Sequence, residues 1–583
     1  MNVNITDNST SYINAAGGGI YALNSNPNFK NVVISKNSSS YGGGLFCWGN
    51  SSLSLTNVMI FDNKAIEGWG LGGGIACKDS SYIYLKNVTI FGNSASGGGG
   101  ILMANNSVVN FDNDNRCNIY LNYAGFGSDI YSYQMINVIV DTFTVINPSG
   151  FHANPIENFT FDILHGIQIE VDSDLYVSPE GDDSNNGLSW NDPLKTIAFA
   201  MSIIQADSLN PHTIHLSSGT YNQNTNGEKF PVSCISYLSL KGCGENETIL
   251  DANIENTVLY FTHSYDAVIK GITITNGYSY FKGGGIYCCD SNPSLENLTI
   301  NGNSTNRDGA GIDCIHSNPN LINVTISSNF TIGSFSDGGG IYCYYSSPSL
   351  ANVTISNNTA VYGGGICCFG ITSPSLVNTI LWNNSPNEIY LDHHWQNSIT
   401  IAYSDVQGGL DSIVTNNGTV NWLECNIDAD PLFADTLNGD YHLQEGSPCI
   451  DAGTAYFVWQ ADTLVNIPDS AYYGTAPDMG AYEWQGYAVY EWEKPINKTV
   501  LFQNYPNPFS PKTIISYSLF KTSNVKIMIY NIKGQLVKTL VDDQKPAGYH
   551  TVEWNAKDIS SGIYFYKLST KDKTFIKKMI LLN

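Results

Sequence analysis

Two aspartates stand in front of successive glycine blocks: Asp308 precedes Gly309-Ala310-Gly311, and Asp337 precedes Gly338-Gly339-Gly340. The same place holds Lys282 one block earlier and Tyr362 one block later, and Arg307 adjoins Asp308. If each block marks one turn of a stacked array, the two carboxylates lie about 5 Å apart on neighbouring turns. Close carboxylates beside a cation suit two kinds of chemistry: holding calcium through oxygen, or acid-base work. A solvated turn with partly neutralised charges is the plainer reading. Asp308, Asp337, Lys282 and Arg307 are therefore the catalytic candidates.

A second set is aromatic. Tyr287, Tyr342 and Tyr344 lie on the strands that follow the glycines, with Tyr345, Phe369 and Trp48 near them. Flat rings on a rigid ladder can stack on sugar faces, so these three tyrosines are expected to point outward and bind a ligand. Against this, tyrosine simply suits strands, and the chain holds 36 of them. Asp428, Asp430 and Asp440, with Asp182 and Asp183, offer oxygens for calcium, but no loop has EF-hand spacing. We expect no dedicated metal centre and no cofactor, with calcium the one candidate ion.

The elements that position these residues follow from a repeat. Glycine blocks begin at Gly17, Gly42, Gly72 and Gly98, and again at Gly283, Gly309, Gly338 and Gly363, spaced 25 to 30 residues within each set. Between them recurs a marker such as Asn57-Val58-Met59-Ile60 or Asn323-Val324-Thr325-Ile326. A period of this size means stacked units, and short β-branched runs bounded by Gly, Asn, Pro and Ser mean strands rather than helices. Three places after the last glycine come Cys47, Cys77, Cys288, Cys314, Cys343 and Cys368, with Ala22 and Met103 in the same column. Period-2 alternation turns this column inward as a ladder of small apolar side chains. The marker asparagines (Asn297, Asn323, Asn352) are expected to form an amide ladder at a turn.

Charge excludes several partners. The net charge of −25 conceals a basic tail, because residues 501–583 carry 12 Lys against 5 acidic residues. An acidic body with only two arginines, Arg116 and Arg307, disfavours nucleic acid and anionic membrane. No apolar run is long enough to make a transmembrane segment. The 13 cysteines include no CxxC pair.

Asp174-Leu175-Tyr176-Val177-Ser178-Pro179-Glu180-Gly181 leads to Asn191-Asp192-Pro193-Leu194, where Asp192 is expected to cap a helix with Pro193 at its first position, running to about Ile204. This opening resembles that of pectate-lyase-like right-handed β-helix proteins. The stretch from Asp430-Pro431-Leu432-Phe433 to Ala481-Tyr482-Glu483 resembles the closing segment of bacterial surface β-helix proteins. At the C-terminus, Leu501-Phe502-Gln503-Asn504-Tyr505-Pro506-Asn507-Pro508-Phe509, Ser561-Gly562-Ile563-Tyr564 and Lys577-Lys578-Met579-Ile580 resemble the type A sorting domain of type IX secretion cargo in Bacteroidetes-like bacteria. That resemblance implies the type IX secretion machinery as a partner, and an extracellular or outer-membrane cell-surface destination.

The expected fold is all-β: two right-handed parallel β-helix solenoid arrays followed by a small C-terminal β-sandwich, Ig-like and of about seven strands. Residues 1–170 form the first array, 171–486 the second with its capping helix and closing segment, 487–500 a linker and 501–583 the sorting domain. Asn2-Val3-Asn4-Ile5 fits the marker column, so the chain is expected to start within a coil, as an N-terminally truncated product or one with a wrongly placed start, without its export signal. The leading functional expectation is a non-catalytic adhesin or carbohydrate-binding scaffold, with extracellular polysaccharide as the partner. The alternative is a polysaccharide lyase or glycoside hydrolase acting on pectin-like polymers. It has little support, since the Asp182-Asp183 pair lies in the entry loop rather than on the repeat strands, and fold resemblance alone carries no activity.

Overall fold

A strand buried on one face can be completed only by a neighbour offering the same face, and the repeat supplies that neighbour every turn. The computed structural model describes the chain except residues 1–2, 11–13, 66–69, 282, 486–498, 503, 505–506, 508, 558, 572 and 583. Residues Met1–Trp484 form one compact unit in which two stacks of parallel strands follow one another. Equivalent residues of consecutive turns lie in register: Val32, Val58 and Val88 in one column, Ile34, Ile60 and Ile90 in another. The N-terminal strand Val3–Thr6 obeys the same register, with Val3 beside Val32 and Ile5 beside Ile34. The cysteine column is a ladder as expected. Cys288, Cys314, Cys343 and Cys368 are cross-strand neighbours, fully buried and free of disulfide bonds. Gly339 shows why the blocks are glycine: a Cβ there would stand 2.7 Å from the carbonyl oxygens of Gly364 and Thr359.

The marker asparagines turn the chain. Asn31, Asn57, Asn87, Asn297, Asn323, Asn352 and Asn378 all have φ of 50–56°, a left-handed conformation that asparagine tolerates best after glycine. Their amides form the expected ladder, with Asn323 Nδ2 donating to Asn297 Oδ1 at 2.9 Å. A second, fully interior ladder stands six residues further along each turn. Asn303 donates to Asn329, Asn329 to Asn358 and Asn358 to Asn384 at 2.9–3.0 Å, and each of these donors also reaches an isoleucine carbonyl. The first array repeats it through Asn37, Asn63, Asn93 and Asn122. Buried amides need all their partners, and in-register stacking provides them.

Both interior ladders end on a carboxylate. Asn122 donates to Asp129 at 3.0 Å, and Asn384 to Glu388. Burial pushes both carboxyls up to about 7, outweighing the hydrogen bonds that pull them down; burial raises Glu228 to about 7 as well. An acid whose folded pKa exceeds its unfolded one holds its proton more tightly when folded. Stability is therefore lost as pH rises from about 4 towards about 7. The protein is expected to melt several degrees higher at pH 5 than at pH 8 at matched ionic strength, followed by circular dichroism. A midpoint that rises across that interval would refute this. Asp162 and Asp182, held low by Arg116 and by the Ser184 amide respectively, lose their contribution only in stronger acid.

The second array opens with a helix shorter than expected. It spans Ile197–Ile203, and Thr196 rather than Asp192 caps it by accepting from Phe199 N. Leu194 is held instead in a β-bridge, donating to Tyr176 O and accepting from Ser178 N, so the chain is extended where the helix was expected to begin. Glu228 accepts from the amides of Ile197 and Ala198 beneath the first turn.

The two stacks pack side by side. Tyr123 donates to the carbonyls of Lys229 and Pro231 at 2.8 and 3.0 Å, and Asn154 to that of Thr262 at 3.0 Å. Four rings bridge the glycine-following strands: Tyr131 to Phe126 at 4.7 Å, Phe126 to Tyr260 at 6.2 Å and Tyr260 to Tyr287 at 5.1 Å. Edge-to-face contacts of this kind add to the apolar area they remove from water.

Residues Gln485–Asn583 form a separate unit. Among the described residues it has seven strands in two antiparallel sheets: Val500–Leu501, Lys512–Leu519 and Gly548–Asn555 in one, Ser523–Asn531, Leu536–Lys545, Gly562–Ser569 and Thr574–Leu581 in the other. The segment that carries the sorting resemblance is tied to this core. Asn504 N donates to Tyr566 Oη, Asn507 Oδ1 accepts from Ile580 N, and Phe509 packs 5.4 Å from the buried Trp554. The expected linker, 487–500, falls almost wholly outside the described residues.

Candidate functional site

Tyr344 ends the strand Ile341–Tyr344, whose neighbours are Ile312–Ile315 and Ile366–Phe369. Alternation sends Ile341 and Cys343 inward, and register sets Tyr344 beside Phe369, their rings stacked at 5.7 Å. The chain then turns through left-handed residues, His316 in one coil, Tyr345 in the next and Gly370 in the next. His316 and Tyr345 stack at 5.4 Å and 16°. Gly370 leaves room for this, because a Cβ there would lie 2.9 Å from the Tyr345 ring. Trp395, 37% exposed, meets Tyr345 edge-on at 5.6 Å, and His394 lies 6.5 Å from Phe369. Six rings thus form one partly exposed platform on the edge of the second array.

The other two expected tyrosines are not on it. Tyr287 is 7% and Tyr342 8% exposed, so neither presents the open outward ring anticipated from alternation. Tyr287 is sealed under Tyr260 where the two arrays meet. Alternation fixes which side of a strand a ring leaves from. It cannot say whether another array covers that side.

Asp308 and Asp337 do come together: Asp337 N donates to Asp308 Oδ1 at 2.8 Å. Burial raises both, and Asp337 reaches about 7 with Asp308 and Asp392 adding repulsion; its Oδ1 is enclosed without a hydrogen-bond donor. The buried Cys367 thiol nearby is raised well above its ordinary value by burial first, which makes it a poor nucleophile. Arg307 is exposed, with its guanidinium 5.9 Å over the Phe281 ring in a recess of about 510 Å³ that Asn14 of the first array helps to line. Lys282 lies outside the described residues.

The acidic residues considered for calcium do not gather. Each accepts from backbone amides instead: Asp183 from Lys195 and Thr196, Asp428 from Gly408, and, within their own turns, Asp182 from Ser184, Asp430 from Leu432 and Asp440 from His442. Trp48 sits elsewhere, in a shallow groove of about 790 Å³ on the first array with Leu23, Asn24, Asn50, Asp79 and Asn105. Sequence reasoning missed Asp392, His393 and His394. Their signal was present as three adjacent ligand-type residues, but they follow the last glycine block, so no glycine marks their coil.

Residues 503–582 match the family described as secretion system C-terminal sorting domain. Residues 179–403, from the opening of the second array through the platform, match a family described as protein of unknown function (DUF1565). No curated protein and no solved structure matched the chain. Among the described residues no helix is long and apolar enough to cross a membrane. A parallel β-solenoid joined to a sorting domain of this kind makes the chain an exported β-helix protein, addressed by type IX secretion to the cell surface or the extracellular space.

Proposed function

We propose that the protein is a non-catalytic glycan binder displayed outside the cell, with the platform of His316, Tyr344, Tyr345, Phe369, His394 and Trp395 as its binding face. The observation that carries this reading is the stacking of partly exposed rings from successive coils, repeated along one rigid edge. Coils recur about every 4.8 Å, a spacing that lets adjacent rings meet adjacent parts of an extended sugar chain. Rings held by the solenoid have little freedom left to lose on binding. The net charge of −25 favours neutral over polyanionic glycans. On a glycan microarray the protein is expected to retain neutral oligosaccharides. Tyr345→Ala and Trp395→Ala are each expected to weaken retention about tenfold in affinity electrophoresis. Unchanged retention in both variants would remove the platform from the reading.

A hydrolase or lyase is the second reading, favoured by one observation: a carboxyl raised to about 7 (Asp337) beside another carboxylate (Asp308). Turnover of any polysaccharide that disappears in Asp337→Asn would put this reading first.

A further inference from the structure

We propose that Asp392, His393 and His394 form a binding site for a divalent first-row transition-metal ion. Among the described residues this is the one group of three metal-ligating side chains whose ligand atoms converge, all within 4.8 Å of one another. His394 Nδ1 lies 3.1 Å from Asp392 Oδ1, and His393 Nδ1 3.4 Å from Asp392 Oδ2. Ligand atoms bonded at about 2.0–2.2 Å to one ion stand about 3–3.5 Å apart, so these separations already match the edges of a coordination shell. The two imidazole rings lie 3.7 Å apart, centroid to centroid, and a neutral imidazole offers one nitrogen lone pair to a metal.

The turn is held in place by other groups. Asp392 N donates to Cys368 O at 2.9 Å, while Asn397 and Asn417 donate to the carbonyls of Asp392 and His393. The side chain of Asp392 is 8% exposed and those of the histidines 58% and 61%, so a buried carboxylate anchors two accessible imidazoles. Two nitrogens and one oxygen suit Zn²⁺, Cu²⁺, Ni²⁺ or Co²⁺. Calcium and magnesium prefer oxygen alone. Three protein ligands leave positions open for water or an incoming oxygen donor.

The full chain, without a polyhistidine tag, would be titrated with Zn²⁺ by calorimetry at pH 7.5 and examined with Cu²⁺ by electron paramagnetic resonance. One saturable equivalent and hyperfine splitting from two nitrogens are expected. His393→Ala and His394→Ala should each weaken Zn²⁺ at least tenfold and remove one nitrogen from the Cu²⁺ spectrum. The double variant His212→Ala/His215→Ala, at the other clustered His–Asp contacts, should change neither. Ca²⁺ should give no comparable heat. Absence of saturable Zn²⁺ binding would overturn the proposal, as would binding that His393→Ala and His394→Ala leave intact. Neither readout involves a glycan, so this site stands or falls apart from the platform.

Discussion

Asn329→Ala is expected to destabilise the solenoid by about 4 kcal/mol. The side chain is fully buried and makes four hydrogen bonds: its Nδ2 donates to Ile300 O and Asn358 Oδ1, and its Oδ1 accepts from Asn303 N and Nδ2. Alanine removes all four. It strands two donors on Asn303 and one carbonyl on Ile300 in an interior without water, at about 1–3 kcal/mol for each orphaned group. Asn323→Gly is the contrast. That residue also belongs to an amide ladder, but it is half-buried, and glycine keeps its left-handed turn at φ 54°. Its cost is expected to stay within about 1 kcal/mol. Urea midpoints of the two variants, compared by circular dichroism, decide the matter. Equal shifts would mean that the interior ladder stabilises no more than the outer one.

Deleting residues 501–583 is expected to abolish surface display. In a host that has type IX secretion, with both proteins directed to the periplasm, the truncated protein should remain there, while the intact chain reaches the surface or medium. Protease shaving of whole cells followed by fractionation reads the difference. The reciprocal fusion, residues 499–583 behind a periplasmic reporter, should carry the reporter out. Undiminished display of the truncated protein would refute the sorting role. Within the tail, Asn507 and Phe509 bind the segment to the last strand and to Trp554, so loss of sorting in variants there must be separated from loss of fold.

Much of this architecture is readable from spacing. The cysteine column and the in-register valines and isoleucines follow from a period of 25 to 30 residues, because a stack repeats its neighbours at that interval. The sorting domain is equally plain in its motifs, and its seven described strands agree with the expected sandwich. The interior asparagine ladder was present in the spacing but was not read from it. Asn303, Asn329 and Asn358 look like loop residues one by one, and only their constant six-residue offset from the turn asparagines marks them as a column. The helix start failed for a local reason: Asp192-Pro193 has the right chemistry for a cap, but Leu194 finds a better partner in Val177 across a bridge.

The candidate sites were less legible. Asp308 and Asp337 were paired correctly, since adjacent turns bring equivalent residues together, but the burial that lifts Asp337 to about 7 has no sequence signature. Tyr344 and Tyr345 fell on the platform, whereas Tyr287 and Tyr342 did not stay open. By itself the sequence determined the all-β repeat, the inward columns and the secretion address, because these depend on periodicity and on local motifs. Only the tertiary structure decided which outward residues meet solvent. Two arrays joined by one chain can cover each other's faces, and a contact such as Phe126 with Tyr260, 134 residues apart in sequence, leaves no period to read.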